Sequence, residues 1–257
     1  MTDLHKPQLY LNPASNDIVI FIHGFMGSPR QFESLAQAVH RQGYSAASLL
    51  LPGHGGPARD FGLGTFKRWQ HHVDTEIERF SGEYTNIWLA GHSMGGLLAI
   101  NSAVRFSGHV RGLFTIACPF KLTAFSAYAL KTRIRQVFCR KGDPVKAAYL
   151  SNSSVVPSPG LIWHSRKPAA ELKKLMLAAR SNLPQVRVPV VAVYSAADEL
   201  TSIISLDIFR AELTEVCLKP VLLTESLHAY YTAQEQAAIE QELLQLVMEG
   251  AYDEKAP

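Results

Sequence analysis

The sequence predicts an α/β fold, a mostly parallel central sheet flanked by helices, from two observations. Short, nearly continuous apolar segments rich in Val, Ile and Leu alternate with longer amphipathic ones, the pattern of strands buried on both faces and joined by crossover helices. The chain has 257 residues, 47% of them apolar and 18% charged, enough for one sizeable core, so a single domain over 1–257 is expected.

The first buried strand is "DIVIFIHG", and the helix "SPRQFESLAQAVHRQG" after it opens on a Ser-Pro start signal and stops at Gly43. Strand "YSAASLLLPGHG", helix "TFKRWQHHVDTEIERF", strand "NIWLAG", helix "GGLLAINSAVRF" and strand "VRGLFTIACP" follow. The alternation then stops and resumes at "VPVVAVYSAADE", helix "SIISLDIFRAEL", strand "VCLKPVLLTES" and a final helix "TAQEQAAIEQELLQLVMEG". The interruption reads as a small inserted helical cap over 119–187. Within it Leu122, Phe125, Leu130, Ile134, Val137 and Phe138 fall at rough helical spacing, as do Leu172, Leu175, Met176 and Ala179.

Charge separates this segment from its flanks. Between Cys118 and Arg187 there are 13 Lys or Arg against 2 acidic residues, although the whole chain carries only +3. A solvated outer face is the common meaning of such an excess. The alternatives are steering of anionic substrates and a weak contact with a membrane surface. Nucleic acid is not an expected partner, because no recognition module accompanies the basic residues. Cys118, Cys139 and Cys217 are too scattered for a disulfide framework or a zinc site. The start "MTDLHKPQLYLNPASND" lacks a signal-peptide core, and no apolar run reaches the roughly 18 residues of a membrane span, so the reading is soluble and cytoplasmic.

Chemistry concentrates at "GHSMGG". A bare G-x-S-x-G arises by accident in about one chain in ten of this length, but here Ser93 falls between a buried strand and a helix, the context a nucleophile elbow requires. Gly91 and Gly95 permit a turn that would otherwise bring side chains into collision. A serine hydroxyl needs a base, and the base needs a group that holds its tautomer. Downstream histidines are His109, before a strand and so at the wrong edge, His164, inside the insertion, and His228, just after the last strand. His228 is the expected base. For the acid, Asp198 closes the strand "VVAVYSAAD", while Glu199 beside it and Glu225 remain open. Two backbone N–H groups are expected to hold an oxyanion: Met94, after Ser93, and Phe25 in "HGFMGSP", with His23 shaping the loop.

With these residues assembled, the chain resembles the α/β-hydrolase superfamily, most closely bacterial carboxylesterases and monoacylglycerol lipases with a small helical cap. The resemblance rests on "HGFMGSP", "LPGHG", "GHSMGG", "ACPF", "ADELTS" and the His228 segment, in that order. It implies Ser93 as nucleophile, Asp198 and His228 as its partners, Phe25 and Met94 as oxyanion donors, a small-molecule carboxylic ester as substrate, and no metal or organic cofactor. Such proteins usually read Ser-Gly-His before the terminal helix, where this chain has Ser226-Leu227-His228. A thioesterase, peptidase or lyase of the same fold, or a binding protein without turnover, is the rival reading. Phe120, Leu122, Phe125 and Tyr128 are acyl-pocket candidates, with ordinary core as the blander role. Oligomeric state is not encoded in any of these patterns.

Overall fold

The computed structural model describes residues 5–123, 142–155 and 160–252. One seven-stranded sheet forms the centre, in the order β1-β3-β2-β4-β5-β6-β7. The strands are β1 Gln8–Tyr10, β2 Asp17–Ile22, β3 Ser45–Leu49, β4 Asn86–His92, β5 Val110–Ile116, β6 Val190–Ser195 and β7 Leu218–Leu223. Strands β2 to β7 run parallel, and β1 pairs antiparallel with β3 through Gln8↔Ser48 and Tyr10↔Ala46. Eight helices accompany them among the described residues: α1 Glu33–Arg41, α2 Ala58–Phe61, α3 Phe66–Ser81, α4 Met94–Arg105, α5 Pro144–Asn152, α6 Leu161–Asn182, α7 Ile204–Glu212 and α8 Ala233–Tyr252.

Strand periodicity divides the apolar residues between two cores. Ile18, Ile20 and Ile22 of β2 point into one, with Trp69 of α3, Leu97 of α4, Leu175 of α6 and Phe209 of α7. Val19 and Phe21 point into the other, with Leu35 and Val39 of α1 and Leu243 and Val247 of α8. Each such side chain contributes about 1.5–3 kcal/mol by leaving water, so both faces of the sheet hold it between the helix layers. Helix starts are marked chemically: Thr65 caps α3 by accepting from Arg68 N–H, and Asp143 caps α5 by accepting from Lys146 N–H with Pro144 behind it. Strand β7 carries Pro220, tolerable because β7 is the edge.

Outside 119–187 the strands and helices expected from the sequence occur in the expected order, with β1 and α2 in addition; within it α6 carries the second expected stripe and α5 is additional. Leu175 and Ala179 of α6 are buried, and Leu172 and Met176 pack against the core, as their spacing predicted. Leu122 departs from expectation: it forms an antiparallel bridge with Thr201 and is 41% exposed, rather than beginning a helical stripe. Phe120 is core, edge-on to Phe209 at 5.0 Å. Phe125, Tyr128, Leu130, Ile134, Val137 and Phe138 lie outside the described residues. No helix among the described residues is long and apolar enough to cross a membrane.

Topology places the site. The chain leaves β2 for β3 on one side and returns to β4 on the other, so the carboxyl ends of β2 and β4 adjoin where strand order reverses, the position at which open α/β sheets bind ligands.

Candidate active site

Ser93 is the single residue between β4 and α4, with φ +52° and ψ −118°. A non-glycine residue there is strained, a cost of about 1–3 kcal/mol that persists only where surroundings impose it. They do so here. Ser93 N–H donates to Ile116 O at 2.8 Å, and Gly96 N–H donates to Ser93 O at 3.0 Å. A Cβ on Gly95 would lie 1.8 Å from Ile22 O, and one on Gly91 2.4 Å from the Gly95 carbonyl carbon, so the elbow packs backbone on backbone against the end of β2.

The loop after β2 lies beside this turn, since a Cβ on Gly24 would sit 3.1 Å from Ser93 Cβ. Gly27 N–H donates to Gly24 O at 2.9 Å, closing a turn around Phe25 and Met26. The Phe25 ring is wedged edge-on against Phe61 at 4.9 Å and Trp69 at 6.4 Å, which holds its backbone in place. Met94 opens α4, where first-turn N–H groups have no partner within the helix. His23 is structural: Nδ1–H donates to Gly24 O at 2.9 Å and Nε2 accepts from Leu51 N–H at 3.1 Å. Burial, aided by the neighbouring His54, holds its pKa well below the ordinary histidine value, so it stays neutral.

His228 follows β7, and its Nδ1–H donates to Asp198 Oδ2 at 2.9 Å, with Oδ1 at 3.2 Å. Asp198 Oδ1 also accepts from the N–H groups of Leu200 and Thr201, both at 2.8 Å. Burial alone would lower the His228 pKa, but the Asp198 charge and hydrogen bond, with the Glu199 charge, leave it above the ordinary 6.5. Burial would raise Asp198, yet the imidazole and the two amides leave it below its ordinary value. Of the other acids weighed for this role, Glu199 binds the main-chain N–H of His228 rather than its ring, and Glu225 is exposed on the surface. The structure therefore brings Asp198 and His228 into contact. Among the described residues, the Ser93 hydroxyl and the imidazole are not hydrogen-bonded to each other.

Two further residues join the site without a sequence signal. His92, at the end of β4, donates from Nε2 to His228 O at 2.8 Å, drawing the loop after β7 against the elbow. Tyr149, on α5, donates its hydroxyl to Glu199. Leu227, where the resemblance expects glycine, is buried, and its N–H donates to Tyr230 O at 2.8 Å in an isolated antiparallel bridge. Cys118 is buried and free, Cys217 exposed and free, and Cys139 lies outside the described residues. No cluster of three or more His, Cys, Asp or Glu suited to a metal occurs among the described residues.

Residues 19–248 match the model of the alpha/beta hydrolase family. The chain is 33% identical over 82 residues to the thermostable monoacylglycerol lipase of Bacillus sp. (strain H-257), a match covering 32% of this chain and 33% of that one. It is 31% identical over 122 residues to the pimeloyl-acyl-carrier-protein methyl ester esterase of Shewanella sp. (strain MR-7), covering 45% and 40%. These matches thus span well under half of the curated relatives' lengths. Among solved structures, the monoacylglycerol lipase of Paleococcus ferrophilus superposes with a TM-score of 0.72 over 95% of this chain and 98% of that one, at 16% identity, a likeness of fold.

Proposed function

The chain belongs to the alpha/beta hydrolase family, and on that premise we propose that it is a serine hydrolase of carboxylic esters, with short- to medium-chain acyl esters or monoacylglycerols as substrates. The observation that carries this reading is the Asp198–His228 pair at 2.9 Å, tied through His92 to the strained turn at Ser93. His228 Nε2 takes the proton of Ser93 Oγ as that oxygen attacks the acyl carbon, and the backbone N–H groups of Phe25 and Met94 hold the oxyanion. The imidazolium returns the proton to the departing alcohol. Water then attacks the acyl-enzyme by the same route, releasing the acid and restoring Ser93. In unliganded sites the bond from nucleophile to base is often long and closes with substrate.

Residues 119–187 form the cap over this site in our reading, and the named relatives favour an ester as the bond cleaved. The test is labelling by a fluorophosphonate, run beside a panel of p-nitrophenyl esters from acetate to palmitate, monoacylglycerols, acyl thioesters and amides. Labelling of wild type but not S93A, with esters turned over fastest, is the expected result. Unlabelled wild type overturns the proposal in favour of a non-catalytic binder.

A weak contact with an anionic membrane surface is part of this proposal. Ile162 and Trp163, in the first turn of α6, are 81% and 71% exposed, and the Arg166 guanidinium lies 5.1 Å from the Trp163 ring centroid. An exposed aromatic beside basic residues suits an interface of apolar chains and negative head groups.

A further inference from the structure

Glu199 is 2% exposed and takes no part in the relay above. Its Oε2 accepts from the main-chain N–H of His228 at 3.1 Å, and its Oε1 accepts from the Tyr149 hydroxyl. A buried carboxylate whose two oxygens both accept is matched as the anion, and losing either donor leaves part of its charge uncompensated. Burial, with the charge of Glu199 alongside, raises the Tyr149 pKa far above the ordinary phenol value, so the hydroxyl remains a donor.

The element carrying Tyr149 is anchored on both sides of the site. Asn152 Nδ2 donates to Ala229 O at 3.3 Å, next to His228, and Ser154 N–H donates to Met26 O at 3.0 Å, in the loop beside Ser93. The stretch from Tyr149 to Ser154 therefore bridges the loops after β2 and β7, which carry the proposed oxyanion donor Phe25 and the proposed base His228.

We propose that Glu199 and Tyr149 are a positioning pair, through which α5 holds the main chain of His228 in register for proton transfer. The proposal rests on the serine-hydrolase reading. The titratable groups facing Glu199 are Tyr149 from α5, Asp198 from its own loop, and His228 and Tyr231 from the loop after β7. Of these only His228 becomes a cation. Glu199 therefore favours the imidazolium, and replacing it with an amide both weakens that support and leaves one acceptor oxygen where two donors converge.

Y149F and E199Q test this in the full chain, read by fluorophosphonate labelling rate, by kcat and KM on p-nitrophenyl butyrate, and by NMR titration of the His228 ring assigned with H228N. Both variants are expected to lose about tenfold in labelling rate and kcat with KM nearly unchanged, within the roughly hundredfold that a 1 Å misplacement costs. In E199Q the His228 midpoint falls; in Y149F it does not. Wild-type rates in both variants with an unmoved midpoint overturn the proposal. Y149F keeps the ring and its packing, so it decides the matter should E199Q fail to fold. If wild type itself is not labelled, the hydrolase reading fails and the positioning role falls with it, whereas labelled wild type with both variants at its rate sinks the positioning role alone.

Discussion

His92 Nε2 donates to the main-chain carbonyl of His228 at 2.8 Å, and the two rings pack with centroids 4.8 Å apart. The residue before the proposed nucleophile thus tethers the proposed base across 136 residues of chain. Burial and the positive charge of His228 push the His92 pKa down to about 3, which keeps its ring neutral and its Nε2–H donating through the working range. H92A is expected to lower kcat about tenfold with little change in KM, as loss of a positioning contact does. Steady-state kinetics on p-nitrophenyl butyrate check it, and an unchanged kcat would dismiss the tether.

The strain at Ser93 separates catalysis from stability. S93A is expected to lose about 10⁴-fold or more in turnover while keeping its melting temperature within a few degrees. S93G should melt above S93A, because at φ +52° glycine avoids a cost that outweighs its usual entropic disadvantage of about 0.4–1 kcal/mol. Thermal melts of the two variants decide, and the opposite order would mean that the turn is relaxed.

In the proposed mechanism the His228–Asp198 pair sets the pH dependence of turnover. A base must be neutral to accept a proton, and the carboxylate raises the imidazole above 6.5, so kcat/KM should rise with pH through a midpoint above that value. D198N is expected to move the midpoint down and to reduce kcat by about 10⁴-fold, the loss seen in the Ser-His-Asp template. The same shifts act on stability in opposite windows. The raised His228 stabilises the fold below pH 6.5, a contribution that fades as pH rises through its folded value. The lowered Asp198 contributes above 3.8, a contribution lost as pH falls through its folded value. A pH–rate profile of wild type with an acid limb below 6.5 would contradict the pairing.

Binding to vesicles containing phosphatidylserine is expected at low ionic strength. It should weaken several-fold in W163S and disappear near about 1 M salt, where the Debye length is about 3 Å. Co-sedimentation measures both. Equal binding to neutral vesicles would show that charge is not involved.

Much of this arrangement was legible in the sequence, for physical reasons. Strands β2, β4, β5 and β6 are buried on both faces and therefore read as continuous apolar runs. Ser93 and Asp198 stand just beyond the ends of two such runs, whereas His228 follows β7, a partly exposed edge strand, and was singled out among the three downstream histidines by that position. Strand β1 escaped notice because three residues with a half-exposed Leu9 carry no pattern. Leu122 misled because its backbone pairs with Thr201, far along the chain, a meeting that no local spacing records. His92 and Tyr149 were invisible in their roles. Each acts through a contact to a residue 136 or 50 positions away, and nothing local records such a meeting.

Pro220 has a consequence for how copies of this chain meet. Cys217 O and Leu223 O both accept from β6, so alternation along β7 turns the proline nitrogen outward, to the open rim of the sheet. A strand arriving from another molecule would find a missing donor midway along the rim, flanked by the charged Lys219. Edge-to-edge growth of the sheet into aggregates is thereby discouraged at the rim formed by β7.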